Sequence, residues 1–202
     1  MTDDKRQALL QSTVRAVAKY GMKDVSTRSI SEDAGVNDAY IYRYFKDKED
    51  LLAQAYLLEN DKFMRYVIRQ IELVQEQAAL QELRERYCII FHAAWRYLLD
   101  TPDVCRFFVY YYNSPNFEKY ALVPYREQLN LLAGKIVHLF DNEEDARHCL
   151  YALFILLNSF ATQVVNGELL DNADTEDRVL RTTYNAICAQ MKNTEPENVS
   201  DK

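Results

Sequence analysis

An all-α fold, with a small N-terminal three-helix unit followed by a larger helical part, is the architecture this sequence predicts. Three observations carry the prediction. Only four glycines and four prolines occur in 202 residues, too few for the many turns of a strand-rich fold. Apolar residues recur at spacings of three and four along most of the chain. Residues 34–52, AGVNDAYIYRYFKDKEDLL, set a single glycine between two short helical runs, the layout of a helix-turn-helix. With 49% apolar residues the chain has enough material for a sizeable core.

The elements follow in order. A first helix is expected over 5–20, because Leu10, Val14 and Val17 share one stripe and Gly21 follows where a left-handed cap would sit. A second begins at Thr27, whose hydroxyl is placed to cap it, and runs to about Ala34 with Ile30 and Ala34 inward. Gly35 supplies the positive φ of a tight turn, Val36 fills the space between helices, and Asn37 caps a third helix over 38–45. Helices this short are marginal alone, so Ile30, Val36, Ile41 and Phe45 must pack on the first helix. Asp47 caps a fourth helix starting at Lys48, with Asp50 forming a partial capping box, and this long helix runs to about Gln77. Helices then read over 80–99, 103–113, 117–140, 143–165 and 175–191. Pro102, Pro115, Asp141-Asn142, and Gly167 with Asp171-Asn172 punctuate them, and Pro124 kinks or splits the helix it falls in. The expected division is a helix-turn-helix domain over 1–47, a helical domain over 48–192, and a polar flexible tail over 193–202.

Several classes are excluded at this level. No window reaches the roughly 18 uncharged apolar residues of a membrane span, and MTDDKR lacks the basic start and apolar stretch of a signal peptide. A cytoplasmic protein with no membrane partner is expected. Cys88, Cys105, Cys149 and Cys188 are far apart without a C-x-x-C pair and read as four buried thiols. His92, His138 and His148 make no metal spacing, so neither metal nor cofactor is expected. The absence of a nucleophile elbow, metal cluster or phosphate loop argues against an enzyme. The net charge of -7 is uneven: over 1–58 cations and carboxylates balance, nine of each, so attraction to phosphate depends on local placement of a few cations.

Tyr40, Tyr42 and Tyr44 lie two apart, about 200° around a helix, and so cannot share one face. Ile41, Phe45 and part of Tyr44 complete the inward side, leaving Asp38, Ala39, Tyr40, Tyr42 and Arg43 outward. Outward tyrosines are unusual on a plainly solvated face, and in a major groove they contact thymine methyls and hydrogen-bond phosphates.

The run TRSISEDAGVNDAYIYRYFKDKEDLL resembles the N-terminal domain of the tetracycline-repressor (TetR) family. Thr27 and Arg28 open the supporting helix, Ala34, Gly35 and Val36 make the turn, Ile41, Tyr42 and Phe45 follow the recognition-helix pattern, and Lys46, Lys48, Glu49, Leu51 and Leu52 match the next helix start. The resemblance covers about residues 5–56. It implies that Asp38, Ala39, Tyr40, Tyr42 and Arg43 face bases, that Thr27, Tyr44 and Lys48 grip phosphates, and that Arg28 lies in the same footprint. Lys48 has a rationale of its own, since its charge and free amides at a helix N-terminus meet one phosphate. The chain departs from the family's habit at Ser31, where Ala is usual, and at Asn37, Asp38 and Ala39. Asp38 either accepts from a cytosine amino group or acts locally at its helix start, the second being the more ordinary role.

What the resemblance implies for the remaining two thirds is a ligand-binding and dimerisation domain. Residues 143–165 are apolar nearly all round and need cover on both sides, while Leu180, Tyr184, Ile187 and Met191 recur at near-heptad spacing. Paired with a symmetry mate, these two helices would form a four-helix contact, and burial within one monomer is the alternative. The middle of the chain is rich in aromatics, suited to a cavity with apolar walls and a few polar handles. His92, Trp95, Phe108, Tyr112, Tyr125, Phe154 and Asn158 are the candidate ligand contacts. The expected function is a homodimeric transcriptional regulator, a repressor released from a palindromic double-stranded DNA operator by a small, partly apolar or aromatic ligand. A helical small-molecule-binding or interaction module with lost DNA affinity is the alternative, favoured by Asp38 and the neutral charge balance.

Overall fold

The computed structural model describes residues 2–77 and 82–192, and among these there is helix but no strand. The tail over 193–202 and the expected helix start at Leu80 lie outside the described residues. Among the described residues nine α-helices follow one another: α1 Thr2–Asp24, α2 Thr27–Asp33, α3 Ala39–Tyr44, α4 Lys48–Gln75, α5 Leu83–Asp100, α6 Pro102–Tyr112, α7 Leu122–Ile136, α8 Glu143–Val165 and α9 Ala173–Cys188. α1 is broken at Gly21, whose φ of 75° and ψ of 172° lie in a positive-φ region open to glycine; this is a kink, and not the left-handed helical cap expected there.

α2 corrects the expectation about its cap. Ser26, not Thr27, is the capping residue: its hydroxyl accepts from the Ser29 amide at 3.0 Å, and the Ser29 hydroxyl accepts from the Ser26 amide at 3.1 Å. Two of the orphan donors at the helix start are satisfied reciprocally. Asn37 does cap the next helix, its side-chain oxygen accepting from the Ala39 amide at 2.9 Å. Asp47 accepts from the Asp50 amide, while Asp50 reaches back to the amide of Lys46 rather than of Asp47.

Between α2 and α3 the turn rests on Gly35, at φ 65°. A side chain there costs about 1–2 kcal/mol in the left-handed region. Gly35→Val is therefore expected to lower the melting temperature by about 2–8 °C, at the 2–4 °C per kcal/mol usual for this chain length, as read by circular dichroism.

The segment around Pro124 is split rather than merely kinked. A five-residue π-helical stretch, Phe117–Ala121, precedes α7, and Pro124 falls in the first turn of α7, where its missing N–H removes no interior bond. Asn142 and Asn172 cap α8 and α9, accepting from the amides of Asp145 and Thr175 at 2.9 Å each.

One contiguous apolar core runs from Leu9 in α1 to Ile187 in α9. α1 packs against α2 and α3 on one side and, most extensively of all, against α6 on another. α4 is therefore not the only connection between the N-terminal helices and the bundle. Tyr56, eight residues into α4, packs on α6 and the π-helical stretch: it is 3% exposed, stacked on Tyr111 at 4.8 Å and edge-on to Phe107, Phe108 and Phe117. Burial pushes its phenol well above the ordinary tyrosine range, so it stays neutral.

α8 contradicts the expectation that no window suits a membrane. By length and composition it qualifies, with a mean hydropathy of 1.5. One side of it packs on α5, α6, α7 and α9, as the core helix of a bundle does. The thiols also divide: Cys105 and Cys149 are buried, Cys88 is half-buried and Cys188 exposed. Burial raises the Cys149 thiol to about 11, which keeps it protonated.

Candidate DNA interface and ligand cavity

α3 is six residues long and held by its inward side. Ile41 and Phe45 are buried with Leu9, Leu10, Val14, Val17 and Ile30, and Val36 packs against the same cluster. What remains outward is the face the sequence predicts: Ala39, Tyr42 and Arg43 are exposed, with Tyr42 at 63%. A large ring left in water on a helix otherwise fixed by packing has no folding role. Tyr40 is half-buried instead. Its ring lies under the Lys5 ammonium at 4.0 Å and 6.4 Å from the Tyr44 ring, and the hydrogen bond and charge of Lys5 lower its phenol below the ordinary range. Lys5 thus joins the face from α1, a residue sequence reasoning missed because nothing local links it to Tyr40.

Three of the expected contact residues are engaged inside the N-terminal unit in this arrangement. The Tyr44 hydroxyl is buried and has no hydrogen-bond partner, so it is not presented to a phosphate. The Lys48 ammonium donates to the Val25 carbonyl at 2.6 Å, which ties the start of α4 to the end of α1. Asp38 has its carboxylate against the hydroxyl of buried Ser31, so it acts locally, between α2 and α3. Ser31 and Asp38, two departures from the family pattern, are thus partners. Arg28 is exposed and paired with Glu32 at 2.8 Å, and Thr27 is half-buried beside it.

Behind this face Arg15 of α1 binds Asp33 of α2 at 2.6 Å. Burial disfavours the Asp33 carboxylate, but hydrogen bonds from Ser12 and Arg15 outweigh it and bring the group below its ordinary 3.8. A carboxyl depressed on folding stabilises above its unfolded pKa and loses that contribution as the pH falls through the folded one. Wild type is expected to melt above Asp33→Asn at pH 7, with the difference fading only below pH 3.8, in paired melts across that range.

Two cavities among the described residues bear on the candidate ligand contacts. One, of about 270 Å³, opens among α4, α6, α7 and α8. Phe108, Tyr112, Tyr125, Phe154 and Asn158, five of the seven sequence candidates, line it together with Tyr56, Asn60 and Phe63. Exposed Asn113, Ile155 and Ser159 mark where it meets the surface. The other, of about 160 Å³, is walled mainly by apolar side chains, Val67 and Ile71 of α4, Ile90 of α5, Leu132 of α7 and Leu150 of α8 among them, and was not foreseen. Phe154 lines both.

The two remaining candidates lie elsewhere. His92 is exposed, with its Nδ1 2.6 Å from Glu176 Oε1, because one position past buried Phe91 a side chain turns out of the bundle. Trp95 is 1% exposed, stacked on Phe91 at 5.9 Å, and lines neither cavity; it is core. Asn60, buried and hydrogen-bonded to Gln128, and Phe63 were missed; a polar residue on the apolar stripe of α4 was the available signal.

Fold and site together define a helix-turn-helix unit joined to a helical bundle with an internal cavity. Residues 9–55 match the family model described as bacterial regulatory proteins, tetR family. The HTH-type transcriptional regulator BetI of Yersinia pestis (strain Pestoides F) is 37% identical over 76 residues, which cover 37% of this chain and 34% of that relative. The match therefore spans about a third of the length of this curated relative. A TetR family transcription regulator from Marinobacter aquaeolei VT8 superposes with a TM-score of 0.67 at 23% identity, covering 91% of this chain and 95% of the other. FadR from Bacillus subtilis, solved in complex with stearoyl-CoA, gives 0.66 at 20%, covering 88% and 96%. These two likenesses extend the shared fold over nearly the whole chain. Residues 9–55 are thus similar to the N-terminal domain of the tetR family of bacterial regulatory proteins.

Proposed function

We propose that the chain is a homodimeric, cytoplasmic transcriptional regulator without catalytic activity, a repressor that binds a palindromic operator through α3 and leaves it when a small molecule occupies the bundle. In this reading residues 1–47 bind DNA, and residues 48–192 bind ligand and dimerise. The observation that carries it is the outward face of α3, with exposed Tyr42, Ala39 and Arg43 on a helix whose other side is fixed in the core. A helix so placed enters a major groove by its N-terminal residues.

The second copy is supported by α8, where only 28% of the apolar stretch is buried within the chain and Ile155 is 53% exposed. The strongly apolar remainder calls for cover by a partner, and an isologous pairing of α8 and α9 supplies it. The ligand is supported by the cavity among α4, α6, α7 and α8, and by the apolar-tailed molecule held in the FadR neighbour. Ligand there would press on Tyr56 of α4 and Phe108 of α6, the helix on which α1 packs, and so alter how far apart the two α3 helices stand.

Anisotropy of a labelled random duplex at two salt concentrations tests the reading. Binding that weakens steeply with salt supports it. No binding at either concentration would leave a small-molecule or interaction module instead.

A further inference from the structure

The cavity lined by Asn158 carries no charged side chain. Its polar groups are Asn60, Asn113, Asn158, Ser159 and the phenols of Tyr56, Tyr112 and Tyr125. Burial raises all three phenols above their ordinary range, so they remain protonated at neutral pH. The Asn158 carboxamide is oriented, because its Nδ2 donates to the Phe154 carbonyl at 2.8 Å. Turning it over would set two oxygens against each other. Its Oδ1 is therefore held as an acceptor, and that oxygen is buried and has no hydrogen-bond partner. One turn earlier on the same helix Phe154 forms the wall shared with the second, apolar cavity, and 5.8 Å from it lies the Phe63 ring.

We propose that the effector is an uncharged amphipathic molecule whose N–H or O–H donates to Asn158 Oδ1 and whose apolar body lies against Phe154, toward the second cavity. The inference rests on the ligand-responsive part of the function proposed above and gives it a chemical class. A carboxylate, phosphate or quaternary ammonium would enter among neutral groups with no counter-charge, and burying an unpaired ion is far more costly than burying an amide. An ester of the same length would leave Asn158 Oδ1 unpaired, and a site built for a hydrogen bond rejects the analogue that lacks it. The class thus differs from the polyanionic thioester bound by the FadR neighbour.

The test is calorimetric titration of the full-length protein with octanamide, methyl octanoate, octanoate and stearoyl-CoA. Octanamide is expected to bind about tenfold or more tightly than each of the others, the scale of one neutral hydrogen bond plus the penalty for leaving its acceptor unmet. Asn158→Leu is expected to abolish the preference for amide over ester while leaving ester binding unchanged. Asn158→Asp, protonated in this apolar setting and so still offering a carbonyl oxygen, is expected to keep the preference. Melting curves for both variants establish that they fold. Binding of octanoate or stearoyl-CoA as tight as that of octanamide, no binding of octanamide, or an amide preference that survives Asn158→Leu would overturn the proposal. The regulator reading is judged separately, by duplex binding of the unliganded protein, so each can fail without the other.

Discussion

Tyr42→Ala is expected to weaken operator binding by about 30- to 1,000-fold while leaving the melting temperature unchanged. Tyr42 is 63% exposed at the centre of the outward face of α3, and the neighbouring Ile41 is fully buried, so its direction is set by the packing of the helix. A lost groove contact costs about 1–2 kcal/mol, and a two-fold dimer loses it twice. At 1.4 kcal/mol per decade the sum falls in the stated range. Removal of an exposed ring on a surface helix changes stability by about 0.5 kcal/mol or less. Tyr20→Ala is the control: this ring is also exposed, at 45%, but sits at the far end of α1, next to the break at Gly21. Both proteins would be compared by anisotropy on one selected duplex at one salt concentration. Equal affinities for Tyr42→Ala and wild type would place the contact surface elsewhere.

The second large effect is on stability. Tyr56→Ala is expected to remove about 3–5 kcal/mol, the range for truncating a fully buried aromatic ring. Tyr56 touches four aromatic rings from α6 and the π-helical stretch, and no rearrangement of one neighbour can fill the space it leaves. For a chain of this length that corresponds to a fall in melting temperature of about 6–20 °C. The same ring lines the Asn158 cavity, so the variant also enlarges it, and ligand affinity should fall with stability. A fall of less than about 2 °C would mean that the junction between α4 and α6 is looser than the packing indicates.

Legibility in the sequence followed the range over which each feature is determined. The helix-turn-helix is local: Gly35 for the turn, Val36 for the gap, and Ile41 and Phe45 for the buried side all lie within a dozen residues, and each takes the expected place. Phe154 and Asn158 were also within reach, because a spacing of four puts both on one side of α8. Contacts that close over long stretches were not readable. His92, on the outer side of α5, meets Glu176, 84 positions away. Trp95 reads as a pocket residue because it is large and amphipathic, yet its stack on Phe91 makes it core. The apolar cavity is formed by side chains from five helices, and no single periodicity announces it. Between α2 and α3, Ser31 and Asp38 each read as an isolated departure from the family pattern, and only their contact explains both. Lys48 and Tyr44 follow the family pattern in sequence but are engaged inside the N-terminal unit, by the Val25 carbonyl and by burial of the hydroxyl.

The central claim is that two copies of α3 lie in major grooves of one duplex. Duplexes selected from a random pool and footprinted with the full-length protein test it most directly. Two protected major-groove patches related by a dyad and centred about 34–36 Å apart, or a whole multiple of that, are the predicted result. A single patch without a symmetric counterpart, or protection confined to the minor groove, would contradict it.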